Sequence, residues 1–130
     1  MTGTWQPRGV SDSVLSPLRY GFLLDVVDRA VAAGRLSLAE LDRLVLPRKT
    51  LAHRRTLGSL TPDQSDRLSR VLRIIDTAET TFGDPAKAHK WLRRPSQLLD
   101  GEAPLDRLDT DFGTRQVEAI LDRIAQGLVT

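Results

Sequence analysis

The chain has 130 residues, 40% hydrophobic and 28% charged, with a formal net charge of +2; such a composition suits one small core, or two sharing an element. It contains no cysteine, which excludes disulfides, thiolate metal sites and thiol nucleophiles and leaves the fold to packing alone. Charges interrupt every apolar run and the start MTGTWQPRGVSDS lacks the apolar core of a signal peptide, so a cytoplasmic protein without membrane spans is expected.

Residues 1–15 mix Gly, Pro, Ser and Thr around Trp5 without periodicity, which predicts a flexible arm. Ser16-Pro17 opens the first predicted helix. Leu23, Val26, Val27, Ala30 and Val31 form its buried stripe, and Gly34 ends it. Ser37 and Glu40 make a capping box for a short helix, SLAELDRLV, expected to bury Leu38, Leu41 and Leu44 or Val45. A turn at Leu46-Pro47 leads into a third helix, PRKTLAHRRTL, with Pro47 suited to its first position and Leu51 pointing inward.

A short helix, a tight turn and a basic helix, braced by longer helices on both sides, is the layout of a helix-turn-helix DNA reader. Residues 46–58 hold Arg48, Lys49, Arg54 and Arg55 and no acid, so the positive charge is local although the net charge is small. Arg48, Lys49, Ala52 and Arg55 are expected to share the outer face of the second helix, with Thr50, His53 and Arg54 towards its flanks. An arginine there can bond guanine bidentately, while lysine acts more as a point charge on phosphate. The plainer alternative is a solvated basic face; layout and charge together favour DNA.

Residues 61–83 read as one long helix around which the chain is organised. Thr61 and Gln64 form its capping box, Pro62 fits its first position, and Gly83 followed by Asp84-Pro85 stops it. Leu68, Val71, Leu72, Ile75, Ala78 and Phe82 recur along one face. Asp84 caps the next helix, whose Ala88, Trp91 and Leu92 face inward before Pro95. Leu98, Leu99, Leu105 and Leu108 are apolar pegs between turns at Asp100-Gly101 and Ala103-Pro104. Asp100, Glu102, Asp106, Asp109 and Asp111 stand against a lone Arg107, so this region would repel DNA. A last helix from about Thr110 to Ala125 buries Val117, Ile120, Leu121 and Ile124, and Gly127 releases an apolar tail, Leu128-Val129-Thr130.

Nothing in this pattern is a nucleophile elbow, a phosphate-cradling glycine loop or a metalloprotease helix. His53 and His89 lie in different regions without ligand spacing. No catalytic residue, metal or cofactor is therefore expected.

The C-terminal stretch carries an ordered set: Phe82-Gly83, Trp91-Leu92, Pro95, Leu98 or Leu99, Gly101, Pro104-Leu105, Thr110, Gly113, Val117, Leu121, Ile124 and Gly127. It resembles the toxin-binding domain of the Xre/MbcA/ParS-like antitoxins, with Ser96 where that family often has Asn. The segment LPRKTLAHRRTLGSLTPDQSDRLSRVLRI is similar to the Xre-type DNA-binding part of the same family. The resemblance implies an all-α fold, with a flexible arm over 1–15, an Xre-type helix-turn-helix region over 16–60, and the central helix plus toxin-binding domain over 61–130. It further implies an antitoxin, not an enzyme, that blocks a RES-domain toxin depleting NAD, forms a hetero-oligomer with it and represses its own operon; because operators are commonly palindromic, a homodimer is expected on DNA. Carried onto this chain, DNA binding falls to Arg48, Lys49, Thr50, His53, Arg54 and Arg55. Toxin binding falls to Leu108, Asp109, Thr110, Asp111, Gly113, Gly127, Leu128, Val129 and Thr130. A free-standing helix-turn-helix regulator without a toxin is the alternative.

Overall fold

Helices form in this chain where the sequence supplies a cap and an apolar stripe, and they stop at glycine or ahead of proline. The computed structural model describes residues 24–127. The fold is all-α. Its helices are α1 (Leu24–Ala32), α2 (Leu38–Leu44), α3 (Arg48–Leu57), α4 (Pro62–Phe82), α5 (Pro85–Arg93) and α6 (Asp111–Ala125), with 3-10 turns at Gln97–Leu99 and Pro104–Asp109. The arm over residues 1–15, the Ser16-Pro17 helix start, Leu23 and the tail Leu128, Val129 and Thr130 lie outside the described residues. The chain divides into two compact units, Met1–Arg67 and Leu68–Thr130, with the division inside α4.

In the first unit, Val27, Ala30, Leu36, Leu41, Leu44, Val45, Leu46, Leu51 and Leu60 form the core. The capping box that starts α2 is complete: the Glu40 N–H donates to Ser37 Oγ at 3.1 Å, and the Ser37 N–H donates to Glu40 Oε1 at 3.0 Å. This reciprocal pair satisfies two helix-end donors, and it draws Glu40 to the buried side. Leu38, expected in the core, is 46% exposed, because it begins a helix of seven residues and the inward places fall to Glu40, Leu41 and Leu44. Val26 and Val31 are likewise only half-buried. The turn before α3 is itself core: Val45 and Leu46 are both buried, and both their N–H groups donate to the Leu41 carbonyl, at 2.9 and 3.1 Å. Arg67 Nη1 donates to the carbonyl of Val45 at 3.3 Å. A buried turn needs such partners for its backbone.

α4 starts on the expected box, with the Thr61 N–H donating to Gln64 Oε1 at 2.9 Å and the Gln64 N–H donating to Thr61 Oγ1 at 3.1 Å. Its buried line is Ser65, Leu68, Val71, Ile74, Ile75 and Ala78. Ile74 joins the expected stripe, while Leu72 and Phe82 are half-buried at its edge. Consecutive Ile74 and Ile75 widen the apolar face beyond a single row.

The second unit is built on Leu68–Phe82 of α4, on α5, on the two 3-10 turns and on α6. Asp84 Oδ1 accepts the Ala86 N–H at 2.9 Å and starts α5, whose Ala88 and Leu92 are buried. Trp91 is half-buried, its ring centroid 5.6 Å from that of Phe82 at 47°. Residues 96–102 close a small loop: the Ser96 N–H donates to the Glu102 carbonyl at 3.0 Å, and the Gly101 N–H to the Ser96 carbonyl at 2.8 Å. Asp100 and Gly101 both take positive φ, 57° and 86°, which fits the Asp-Gly turn signal. That reversal turns Leu99 inward and leaves Leu98 55% exposed, so only Leu99 acts as a peg. Leu105, Leu108, Val117, Ile120 and Leu121 complete the core, and Ile124 is half-buried.

Candidate functional site

The outer face of α3 is set by its one buried residue, Leu51. At 3.6 residues per turn, Lys49 and His53 sit roughly 160° around the helix from Leu51. Both are exposed, as are Ala52 and Thr56 between and beside them. Their side chains bond no described residue, apart from the Thr56 hydroxyl, which donates to the His53 carbonyl at 2.6 Å.

The arginines are differently engaged. The backbone N–H of Arg48 donates to Asp42 Oδ2 at 2.9 Å, and its Nε lies 4.0 Å from the same carboxylate. Pro47 offers no side-chain cap, so Asp42 of α2 serves as the cap across the turn and ties the two helices together. Arg54, half-buried, donates from Nε to the Ser59 carbonyl at 2.8 Å, just beyond the Gly58 cap. Arg55 forms a two-pronged pair with Asp28 of α1, at 2.9 and 3.4 Å. The Arg55 hydrogen bonds hold the Asp28 carboxyl below its ordinary value against the opposing effect of burial, and the same bonds raise the Arg55 guanidinium. Arg48, Lys49, Ala52 and Arg55, expected on the outer face, are all exposed, and His53 and Thr56 are exposed beside them. Thr50 and Arg54 are half-buried, and Arg55 is drawn towards α1.

In the second unit the residues expected to approach a partner separate into two kinds. Thr110 caps α6 by accepting the Gly113 N–H on Oγ1 at 3.0 Å, and its carbonyl accepts the Thr114 hydroxyl at 2.8 Å. Gly113 is buried against the preceding turn: a Cβ there would overlap the Arg107 carbonyl oxygen and lie 3.0 Å from its carbon and 3.1 Å from Thr110 Oγ1. Leu108 is 0% exposed. Leu108 and Gly113 therefore hold the fold and present no side chain to a partner, which corrects their expected role. Asp109, Thr110 and Asp111 are exposed, as is Gly127.

Arg107 organises this corner. Its Nη1 donates to Glu102 Oε1 at 3.0 Å and its Nη2 to Gln116 Oε1, so one side chain joins the Ser96–Glu102 bridge region to α6. Arg70 Nη2 donates to the Asp109 carbonyl at 3.5 Å. Phe112, absent from the expected contact set, is 69% exposed. Helical phase would have found it, since it falls off the face shared by Gly113, Val117, Ile120 and Leu121.

His89 Nε2 lies 2.7 Å from Glu79 Oε2, and its Nδ1 lies 3.3 Å from Arg93 Nη1. Both ring nitrogens are thereby engaged by side chains. No group of three or more metal-ligating side chains occurs among the described residues, and none of their helices is long and apolar enough to cross a membrane.

Residues 13–73 match the family model described as the antitoxin Xre-like helix-turn-helix domain, and residues 77–127 match the antitoxin Xre/MbcA/ParS C-terminal toxin-binding domain. The chain is 38% identical over 108 residues to antitoxin Xre of Pseudomonas putida, covering 82% of this chain and 67% of that protein. It is 30% identical to antitoxin Xre of Yersinia enterocolitica, covering 95% of this chain and 88% of that protein. The chain belongs to the Xre antitoxin family. A more local likeness, 31% over 98 residues, reaches 6-hydroxy-3-succinoylpyridine 3-monooxygenase HspA of Pseudomonas putida, covering 74% of this chain but 29% of that protein. α2 and α3 lie within the stretch matched by the Xre-like helix-turn-helix domain, and α5 to α6 within that matched by the toxin-binding domain.

Proposed function

We propose that this Xre-family chain is the antitoxin of a type II toxin–antitoxin pair, that it blocks a RES-domain toxin which depletes NAD, and that it represses its own promoter. The observation that carries the reading is the presence, in one chain, of an acid-free helix with Lys49 and His53 facing outward and a separate toxin-binding domain edged with acids. The chain acts by covering its partner; the chemistry on NAD belongs to the toxin. It works in the cytoplasm, binds operator DNA as a homodimer and forms a hetero-oligomer with the toxin. Palindromic half-sites match a two-fold dimer.

On the DNA side, Lys49 and His53 approach the groove, with Arg48 and Thr50 at its edge, while Arg54 and Arg55 hold the helix in place. On the toxin side, Asp109, Thr110 and Asp111, together with Gly127, Leu128, Val129 and Thr130, approach the cleft. A cleft that binds a dinucleotide pyrophosphate carries positive charge, and an acidic loop complements its rim. The domain organisation follows: the helix-turn-helix region reads DNA, and α4 leads into the region that engages the toxin.

Co-expression of tagged chain with the neighbouring RES-domain protein tests the reading. Co-purification, with NAD preserved in cells that otherwise lose it, is the expected result. Retention of promoter binding by a chain that neither co-purifies with that protein nor preserves NAD would make it a free-standing regulator.

A further inference from the structure

We propose that Phe112 is the apolar anchor by which this chain grips its toxin, inserting into a pocket rimmed by basic groups. The proposal rests on the toxin-blocking reading above and names the residue that carries it. Among the exposed large apolar side chains of the described residues, Phe112 is the most open, at 69%, against 56% for Leu57 and 55% for Leu98. It lies within residues 77–127, the stretch matched by the toxin-binding domain model.

The turn that presents it is held from both sides. Thr110 caps the helix through the Gly113 N–H at 3.0 Å, Arg70 bonds the Asp109 carbonyl, and the glycine before Thr114 packs against the Arg107 backbone. A rigid aromatic loses little conformational freedom on binding, and rigid aromatics are the usual anchors of tight interfaces.

The charge around Phe112 specifies the pocket. Asp109 and Asp111 both precede it in sequence and are exposed, and the next charged residue after it is Arg115. Asp111 shares its charge with Arg115 at 3.0 Å, with both side chains open to solvent, whereas the Asp109 carboxylate bonds no other side chain among the described residues. With Asp111 balanced by Arg115, the charge left beside the ring is that of Asp109, and an aromatic ring with an acid on one side fits an apolar pocket with a cationic edge better than an acidic surface. The anchor governs how long the complex lasts, and the acids govern how fast it forms.

The test measures association of the full chain with a catalytically inactive form of the neighbouring RES-domain protein by surface plasmon resonance. Phe112→Ala is expected to raise Kd at least about tenfold, mainly through dissociation, and Phe112→Leu is expected to recover most of that loss. Asp109→Asn is expected to slow association and reduce its salt dependence. Thermal midpoint and promoter binding of Phe112→Ala should match the parent chain, because the side chain is exposed. If the parent binds the protein and Phe112→Ala binds equally well, the anchor is refuted while the antitoxin reading stands. If the parent itself does not bind, both fall.

Discussion

Replacing Gly113 with alanine puts a methyl group where the Arg107 carbonyl oxygen already sits. The obstruction is backbone, and the Arg107 side chain that could relax it is held by Glu102 at 3.0 Å and by Gln116. Forcing a methyl group into filled space costs about 1–3 kcal/mol. If α6 shifts away instead, the Thr110 cap on the Gly113 N–H is lost, at about 1 kcal/mol. Alanine returns up to about 1 kcal/mol through helix propensity. Because the blocking atom is backbone, the upper part of the packing range applies, about 3 kcal/mol, and the net destabilisation is about 2 kcal/mol, which for a domain of this size lowers the thermal midpoint by roughly 5–15 °C. Calorimetry or circular dichroism on the full chain measures it. An unchanged or raised midpoint would mean that the turn at Arg107 yields freely, and that the glycine is not required by its neighbour.

Lys49→Ala and His53→Ala should each weaken promoter binding by about 1–3 kcal/mol if they read bases, or uniformly across sequences with a shallower salt slope if they touch phosphate; a mobility-shift titration at two salt concentrations separates these outcomes, and unchanged binding removes the residue from the interface. Arg55→Ala should weaken specific and non-specific DNA alike, since its structural partner is Asp28, and a loss confined to one operator base pair would restore Arg55 as a reader. The Asp28 carboxyl is held low by Arg55, so its contribution to stability is present above the ordinary carboxylate range and is lost as pH falls through the lowered value. Asp28→Asn should therefore cost less than about 1 kcal/mol near neutrality, the pair being exposed, and nothing in strong acid; an equal cost at both pH values would refute the ion-pair account. Removing Leu128, Val129 and Thr130 should reduce protection from toxin in a growth assay while promoter binding persists, and full protection by the shortened chain would exclude the tail.

What could be read from the sequence is what is local in it. Ser37 with Glu40 and Thr61 with Gln64 are three residues apart, close enough for cap chemistry to follow from spacing. The turn of Asp100-Gly101 and the cap at Asp84 were legible for the same reason. The partner of Arg55 was not, because Asp28 lies 27 residues away and nothing in the pattern of α3 specifies it. The exposure of Arg48, Lys49, Ala52 and Arg55 followed from the phase of α3 against Leu51, whereas the capping of Arg48 by Asp42 and the bond from Arg54 to the Ser59 carbonyl did not, since both depend on the turns at either end. Leu108 and Gly113 fell within the expected contact set as the ends of one stretch carried over with the resemblance, and neither a stretch nor a pattern distinguishes a side chain that touches a partner from one that fills a core.

That last distinction bears on how such a protein acquires a partner. The positions that carry the family resemblance are occupied by parts of the scaffold: Leu105, Val117 and Leu121 are buried, Thr110 is a cap, Gly101 takes a turn conformation, and Gly113 admits no side chain. The exposed side chains beside that scaffold are others, Phe112 and the acids before it, and on the proposed reading these choose the toxin from a turn the scaffold already fixes. A substitution at Phe112 changes an exposed surface at little cost to folding, whereas one at Gly113 changes the fold before it changes any surface. Specificity for one toxin over another can then shift through exposed positions while the pattern that identifies the family stays intact, so two chains sharing the whole ordered set need not share a partner.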